Sequence, residues 1–151
     1  MRPQKRVLTC INDLDAAKVM GLLLQKWFAE QYDLSVTEAR YIDKLLAQAE
    51  GETVDLFILL LNNMFYSDSK LRPESSRNGI ESRLEIITRL KQTYHKPVIA
   101  MTGWPLSVDS WNEENTKQAG ASFLLTYLPE GNLLRDAVRQ CLEEGEVVCR
   151  D

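Results

Sequence analysis

Two patterns of hydrophobic and polar positions alternate along the chain. Short, nearly unbroken apolar runs are separated by longer segments in which apolar residues recur every three or four positions. The first pattern marks strands covered on both faces, the second helices with one apolar stripe. The strongest run is 54–63, Val-Asp-Leu-Phe-Ile-Leu-Leu-Leu-Asn-Asn. A half-solvated strand would show polar residues at every second position, and this one does not, so both of its faces must be covered. Polar side chains return only at its C-terminal end, as Asn62 and Asn63. In an open α/β sheet that end of a central strand is where ligands and catalytic groups collect.

The other elements follow in order. Arg6 to Ile11 is a first strand, Asn12-Asp13-Leu14-Asp15 a turn, and Asp15 a candidate N-cap. Ala17, Met20, Leu23, Leu24, Trp27 and Phe28 form a helical stripe ending near Gln31. Tyr32 to Val36 reads as a short second strand, with Thr37 and Glu38 opening a connector. Ile42, Leu45, Leu46 and Ala49 mark a second helix, stopped by Gly51. Residues 66–78 are polar, hold Pro73 and show no period, which predicts a long loop inserted in the domain. A helix from about Gly79 carries Ile80, Leu84, Ile87 and Leu90. Pro97 to Met101 is the fourth strand, with proline at its first position. A polar helix over about Asp109 to Ala119 closes at Gly120. Ala121 to Thr126 is the fifth strand, and Leu133, Leu134, Ala137, Val138, Cys141 and Leu142 face one way on a last helix. The tail, 145–151, is expected to be loose. Strands alternating with helices imply one α/β domain over 1–151: a parallel sheet with helices on both faces, a three-layer αβα sandwich.

Composition narrows the function classes. The chain has 151 residues, 44% hydrophobic and 26% charged, enough for one core. A net charge of −4 and the lack of a dense Lys/Arg cluster speak against nucleic acid. The basic start leads into an apolar run too short for a signal peptide or a membrane span, which predicts a cytoplasmic protein. Of the three cysteines, Cys10 and Cys141 read as small buried hydrophobes, and no pair has metal-ligand spacing. The single histidine, His95, stands on a loop with no partner for zinc or nucleophilic chemistry. There is no glycine-rich phosphate loop.

Within this pattern, 54–60 (Val-Asp-Leu-Phe-Ile-Leu-Leu), 96–103 (Lys-Pro-Val-Ile-Ala-Met-Thr-Gly) and 118–126 (Gln-Ala-Gly-Ala-Ser-Phe-Leu-Leu-Thr) resemble the receiver domain of bacterial response regulators. The resemblance covers nearly the whole chain and implies a flavodoxin-like fold with strand order 2-1-3-4-5. Receivers accept a phosphoryl group on an aspartate ending strand three. Two acidic residues after strand one hold Mg²⁺, and a Thr or Ser and a Lys after strands four and five bind the phosphoryl oxygens. A metal and a cation are needed there because charge develops on the transferred group. Here the acidic pair aligns with Ile11 and Asn12, with Asp13 one residue on. The acceptor aligns with Leu60, or with Asn62 if the strand is two residues longer. Thr102 matches, and the lysine position falls on Tyr127. The resemblance therefore implies a degenerate pseudo-receiver that acts without catalysis, by binding protein partners in signalling.

Asn12, Asp13, Asn62, Asn63, Thr102 and Tyr127 are expected at the C-terminal edge of the sheet. They form either a remnant pocket for an ion or small ligand, or turn residues bonded to loop backbone; the second reading is the commoner for Asn, Asp and Thr. Asp13 with Asp15 could hold Mg²⁺ only with phosphate or water completing its shell, so no cofactor is otherwise expected. Trp104, Trp111 and Tyr127 are either partner contacts on the face of helix four, strand five and helix five, including a homodimer seam, or local packing anchors. Lys70, Arg72 and Arg77 in the 66–78 loop suit an acidic partner or a solvated surface. The alternative function is a flavodoxin-like small-ligand binder or enzyme at the strand ends, although the acidic turn 12–15 repels a flavin phosphate.

Overall fold

The computed structural model describes residues 3–11, 13–61, 76–102, 113–126 and 131–144. Along them run β1 (Gln4–Cys10), α1 (Leu14–Phe28), β2 (Asp33–Ala39), α2 (Ile42–Gly51), β3 (Leu56–Leu60), α3 (Ser76–Tyr94), β4 (Val98–Thr102), α4 (Glu113–Ala119), β5 (Phe123–Thr126) and α5 (Gly131–Glu144). The strands form one parallel sheet in the order β2-β1-β3-β4-β5, as the resemblance implies.

β3 is buried at every position. Its side chains alternate between two cores because successive residues of a strand point to opposite faces. Leu56, Ile58 and Leu60 pack with α1 and α5 through Met20, Leu24, Phe28, Leu134 and Val138. Phe57, Leu59 and Leu61 pack with α2 and α3 through Ile42, Leu45, Ile87 and Leu90. Cys10 lies in the second core and Cys141 in the first, both fully buried as expected.

Element ends differ from the sequence reading where pairing or capping decides them. β2 continues through Thr37 and Glu38, because these residues pair with Leu8 and Thr9 of β1. α1 begins at Leu14 and stops at Phe28, short of Gln31. α3 already includes 76–78, which the polar composition suggested were loop. On α5, Leu133 is 56% exposed and leaves the apolar stripe that Leu134, Ala137, Val138, Cys141 and Leu142 form. The remaining 66–75 of the expected loop and the tail 145–151 lie outside the described residues.

Two left-handed residues terminate helices. Gly120 has φ +122°. Its N–H donates to Lys117 O at 3.0 Å, and Ala121 N–H donates to Thr116 O at 3.0 Å, a Schellman closure of α4. This is the physical reason for the Ala-Gly-Ala segment. Thr88 of α3 ties the same corner by donating to Ala119 O at 2.8 Å. His95 ends α3 with φ 56°, its N–H on Lys91 O at 2.9 Å, and Pro97 follows two residues later.

These two positions respond oppositely to substitution. Gly120→Ala is expected to lose about 2 kcal/mol, because it places a Cβ 3.1 Å from Lys91 Cβ and Cγ on a backbone that L residues rarely adopt. His95→Gly is expected to gain about 0.5–1 kcal/mol by relieving left-handed strain. Urea unfolding of both variants against the parent checks the pair.

Candidate functional site

The parallel register brings the C-terminal ends of the strands to one edge. Cys10 pairs with Leu59, Leu60 with Met101, and Thr102 with Thr126. Asp13 and Thr102 are the expected pocket residues that the structure describes. Asn12, Asn62, Asn63 and Tyr127 lie outside the described residues, as do the expected partner contacts Trp104 and Trp111.

Asp13 is exposed, and its carboxylate is a helix cap. Its backbone is extended (φ −151°, ψ 111°), Oδ1 accepts the Ala16 N–H at 3.1 Å, and its carbonyl accepts the Ala17 N–H at 2.9 Å. The N-cap is therefore Asp13, not Asp15. Asp15 sits in the first turn of α1, where a negative charge complements the helix dipole. Both acids serve the start of α1, and a capping carboxylate is worth about 1 kcal/mol to a helix.

Thr102 is 1% exposed at the end of β4. Beside it, β3 offers leucine. Leu60 belongs to the α1/α5 core and Leu61 to the α2/α3 core, both buried. Ile11, aligned with the first of the acidic pair, is also fully buried in the α1/α5 core. The sequence holds no carboxylate between Asp55, ahead of β3, and Asp68.

A group that the sequence reading missed is Asp43, in the first turn of α2. Its negative charge acts on Cys10, and its Oδ1 is buried without a hydrogen-bond partner among the described residues. Burial, with the negative charge of Asp43 adding to it, pushes the Cys10 thiol up to about 12. The thiol stays protonated at neutral pH and is no nucleophile. The spacing gave no warning, since the charge of Asp43 is felt at Cys10 only when α2 packs on β1. Among the described residues, no three His, Cys, Asp and Glu side chains come together as a metal site would need.

At the opposite, N-terminal edge lies an open polar cavity of about 410 Å³ lined by Lys5, Arg6, Asp33, Ser35, Thr53 and Asp55. Some of its groups answer one another. Arg6 N–H donates to Asp55 Oδ2 at 2.9 Å, Asp55 N–H donates to Arg6 O at 2.8 Å, and Arg6 Nη1 stands 3.1 Å from Glu52 Oε2. The last contact is an ion pair without hydrogen-bond alignment, because Oε2 takes no well-directed bond.

With this geometry in place, the chain compares closely with solved receiver domains. No protein-family sequence profile matches it, and no curated protein matches it in sequence. It is similar in structure to the signal receiver domain of a DNA-binding response regulator from Colwellia psychrerythraea 34H, with TM-score 0.71 and 20% identity over 93% of this chain and 99% of that one. It is similar to a putative response regulator from Chloroflexus aurantiacus J-10-fl, with TM-score 0.69 and 17% identity over 93% and 98%. A response regulator from Thermotoga maritima gives TM-score 0.65 and 12% identity over 93% and 98%. The fold is that of response-regulator receiver domains, flavodoxin-like, and at these identities it is the fold that is shared.

The Cys10 environment sets a pH dependence. A thiol whose pKa rises from 9.0 to about 12 on folding keeps its proton where the unfolded chain loses it. Stability is therefore undiminished below pH 9 and falls as pH rises toward 12, by about 1.4 kcal/mol per unit at most. Urea melts from pH 8 to 10.5 should show this slope, and Cys10→Ala should flatten it.

Proposed function

We propose that this chain is a receiver-like signalling domain that works through protein contacts and does not accept a phosphoryl group. One observation carries the reading: the tip of β3 is filled by Leu60 and Leu61, packed into the two cores, where a working receiver presents its aspartate. Amides at Asn62 and Asn63 cannot replace a carboxylate as acceptor. The metal side supports the same reading. Ile11 is core, and the Asp13 carboxylate is engaged at the start of α1. A receiver's Mg²⁺ relies on acidic residues there, so this donor set does not fit the ion.

In this reading the domain, spanning 1–151, is non-enzymatic and acts in the cytoplasm. Its contact surface is the face of α4, β5 and α5, with Trp104, Trp111 and Tyr127 as anchors. The exposed Leu133 in the first turns of α5 supports an apolar contact near that face. Among the described residues no helix is long and apolar enough to cross a membrane.

The test is direct. The protein is titrated with beryllofluoride or acetyl phosphate, with and without Mg²⁺, while amide resonances are followed by two-dimensional NMR. No saturable shift is expected around Asn62 and Thr102. Mg²⁺-dependent, saturable shifts at those amides would show an intact phosphoryl switch and end the reading.

A further inference from the structure

We infer that two copies of this chain associate through α1, packed antiparallel on itself about a two-fold axis midway between Val19 and Leu22. Among the described residues the large apolar side chains that stand exposed are Leu14, Val19, Leu22 and Leu133, and the first three belong to α1. Leu22 is 68% exposed and Val19 45%. Both turn away from Ala16, Ala17, Met20, Leu24 and Phe28, which bind the opposite side of the helix to the core.

The spacing makes a seam. At 3.6 residues per turn, Asp15, Val19, Leu22 and Lys26 fall within about 60° of arc on the outer side of α1. All four are exposed. Their steps of four, three and four residues are those of a two-helix seam. The series also reads the same way in both directions: apolar in the middle, with one charge of opposite sign at either end. The two-fold axis therefore sets each Val19 against the second copy's Leu22. The same rotation sets each Asp15 against the second copy's Lys26. Lys18 and Gln25 flank the seam on the β2 side, and half-buried Leu23 lies on the other.

Charge chooses the occupant. Asp15 stands in the first turn of α1 and Lys26 in the last. Neither takes part in an ion pair or a side-chain hydrogen bond among the described residues. An antiparallel copy brings the acidic first turn of each helix to the basic last turn of the other, and the two helix dipoles then oppose. A parallel copy would set Asp15 against Asp15 and Lys26 against Lys26. A wholly apolar helix would leave all of these charges without partners. The chain's own α1, reversed, supplies both the apolar middle and the two complementary ends. A single helix pair is a small interface, so the association is reversible.

Sedimentation equilibrium and light scattering of the full chain over micromolar concentrations test this inference, with folding followed by circular dichroism. A reversible dimer is expected. Leu22→Glu, at an exposed helix position, should keep the fold and give a monomer. Asp15→Lys and Lys26→Glu each place like charges together at both ends of the seam, and each should weaken self-association about tenfold. Mixed in equal amounts, these two variants should recover dimers, because each then offers the charges that the other lacks. A monomer at every concentration overturns the inference. So does a dimer that survives Leu22→Glu, a mixture that associates no better than its components, or a dimer lost only on substitution of the α4–β5–α5 face. These outcomes are independent of whether the domain accepts phosphate.

Discussion

The structure depends on the burial of β3 on both faces. A strand with leucine, isoleucine and phenylalanine at successive positions has no solvent side, so apolar layers must cover it twice. That requirement places α1 and α5 on one face and α2 and α3 on the other. It also makes parallel pairing the workable arrangement, because a helical crossover returns the chain to the same end of the sheet while covering a face. The flanking strands β1 and β4 inherit the same condition and are likewise buried along their inner lengths.

The same demand reaches the strand tips, where function is usually placed. The core extends through Leu60 and Leu61 to the end of β3 and just beyond it. Just past the neighbouring β1, Ile11 is buried as well, and the first acid beyond it, Asp13, satisfies helix backbone. At these positions the side chains serve packing and capping. The scaffold's shape survives because the fold rests on the apolar alternation and not on the polar site. This is why solved receivers share its shape at 20% identity or less.

Most of the fold was legible in the sequence, because a period of 3.6 and an unbroken apolar run each follow from the burial of one local element. The residues of the α1 and α5 stripes, the two cores' share of β3, and the buried state of Cys10 and Cys141 could all be read this way. So could the lack of any carboxylate between Asp55 and Asp68, since residue identity alone decides it. What the sequence left open depends on partners distant along the chain. β2 runs on through Thr37 and Glu38 because β1 is there to pair with them. Asp13 caps α1 in place of Asp15 because the entering backbone is extended at that residue. Leu133 is left exposed because the packing stripe of α5 begins at Leu134. The charge of Asp43 is felt at Cys10, and Lys18 shares a groove with Glu38, only once helices are laid on the sheet. Local pattern determined which segments are helix and strand. Contacts between segments decided where they end, which acids are engaged, and which strand edge is left open, because those energies exist only after the chain has folded.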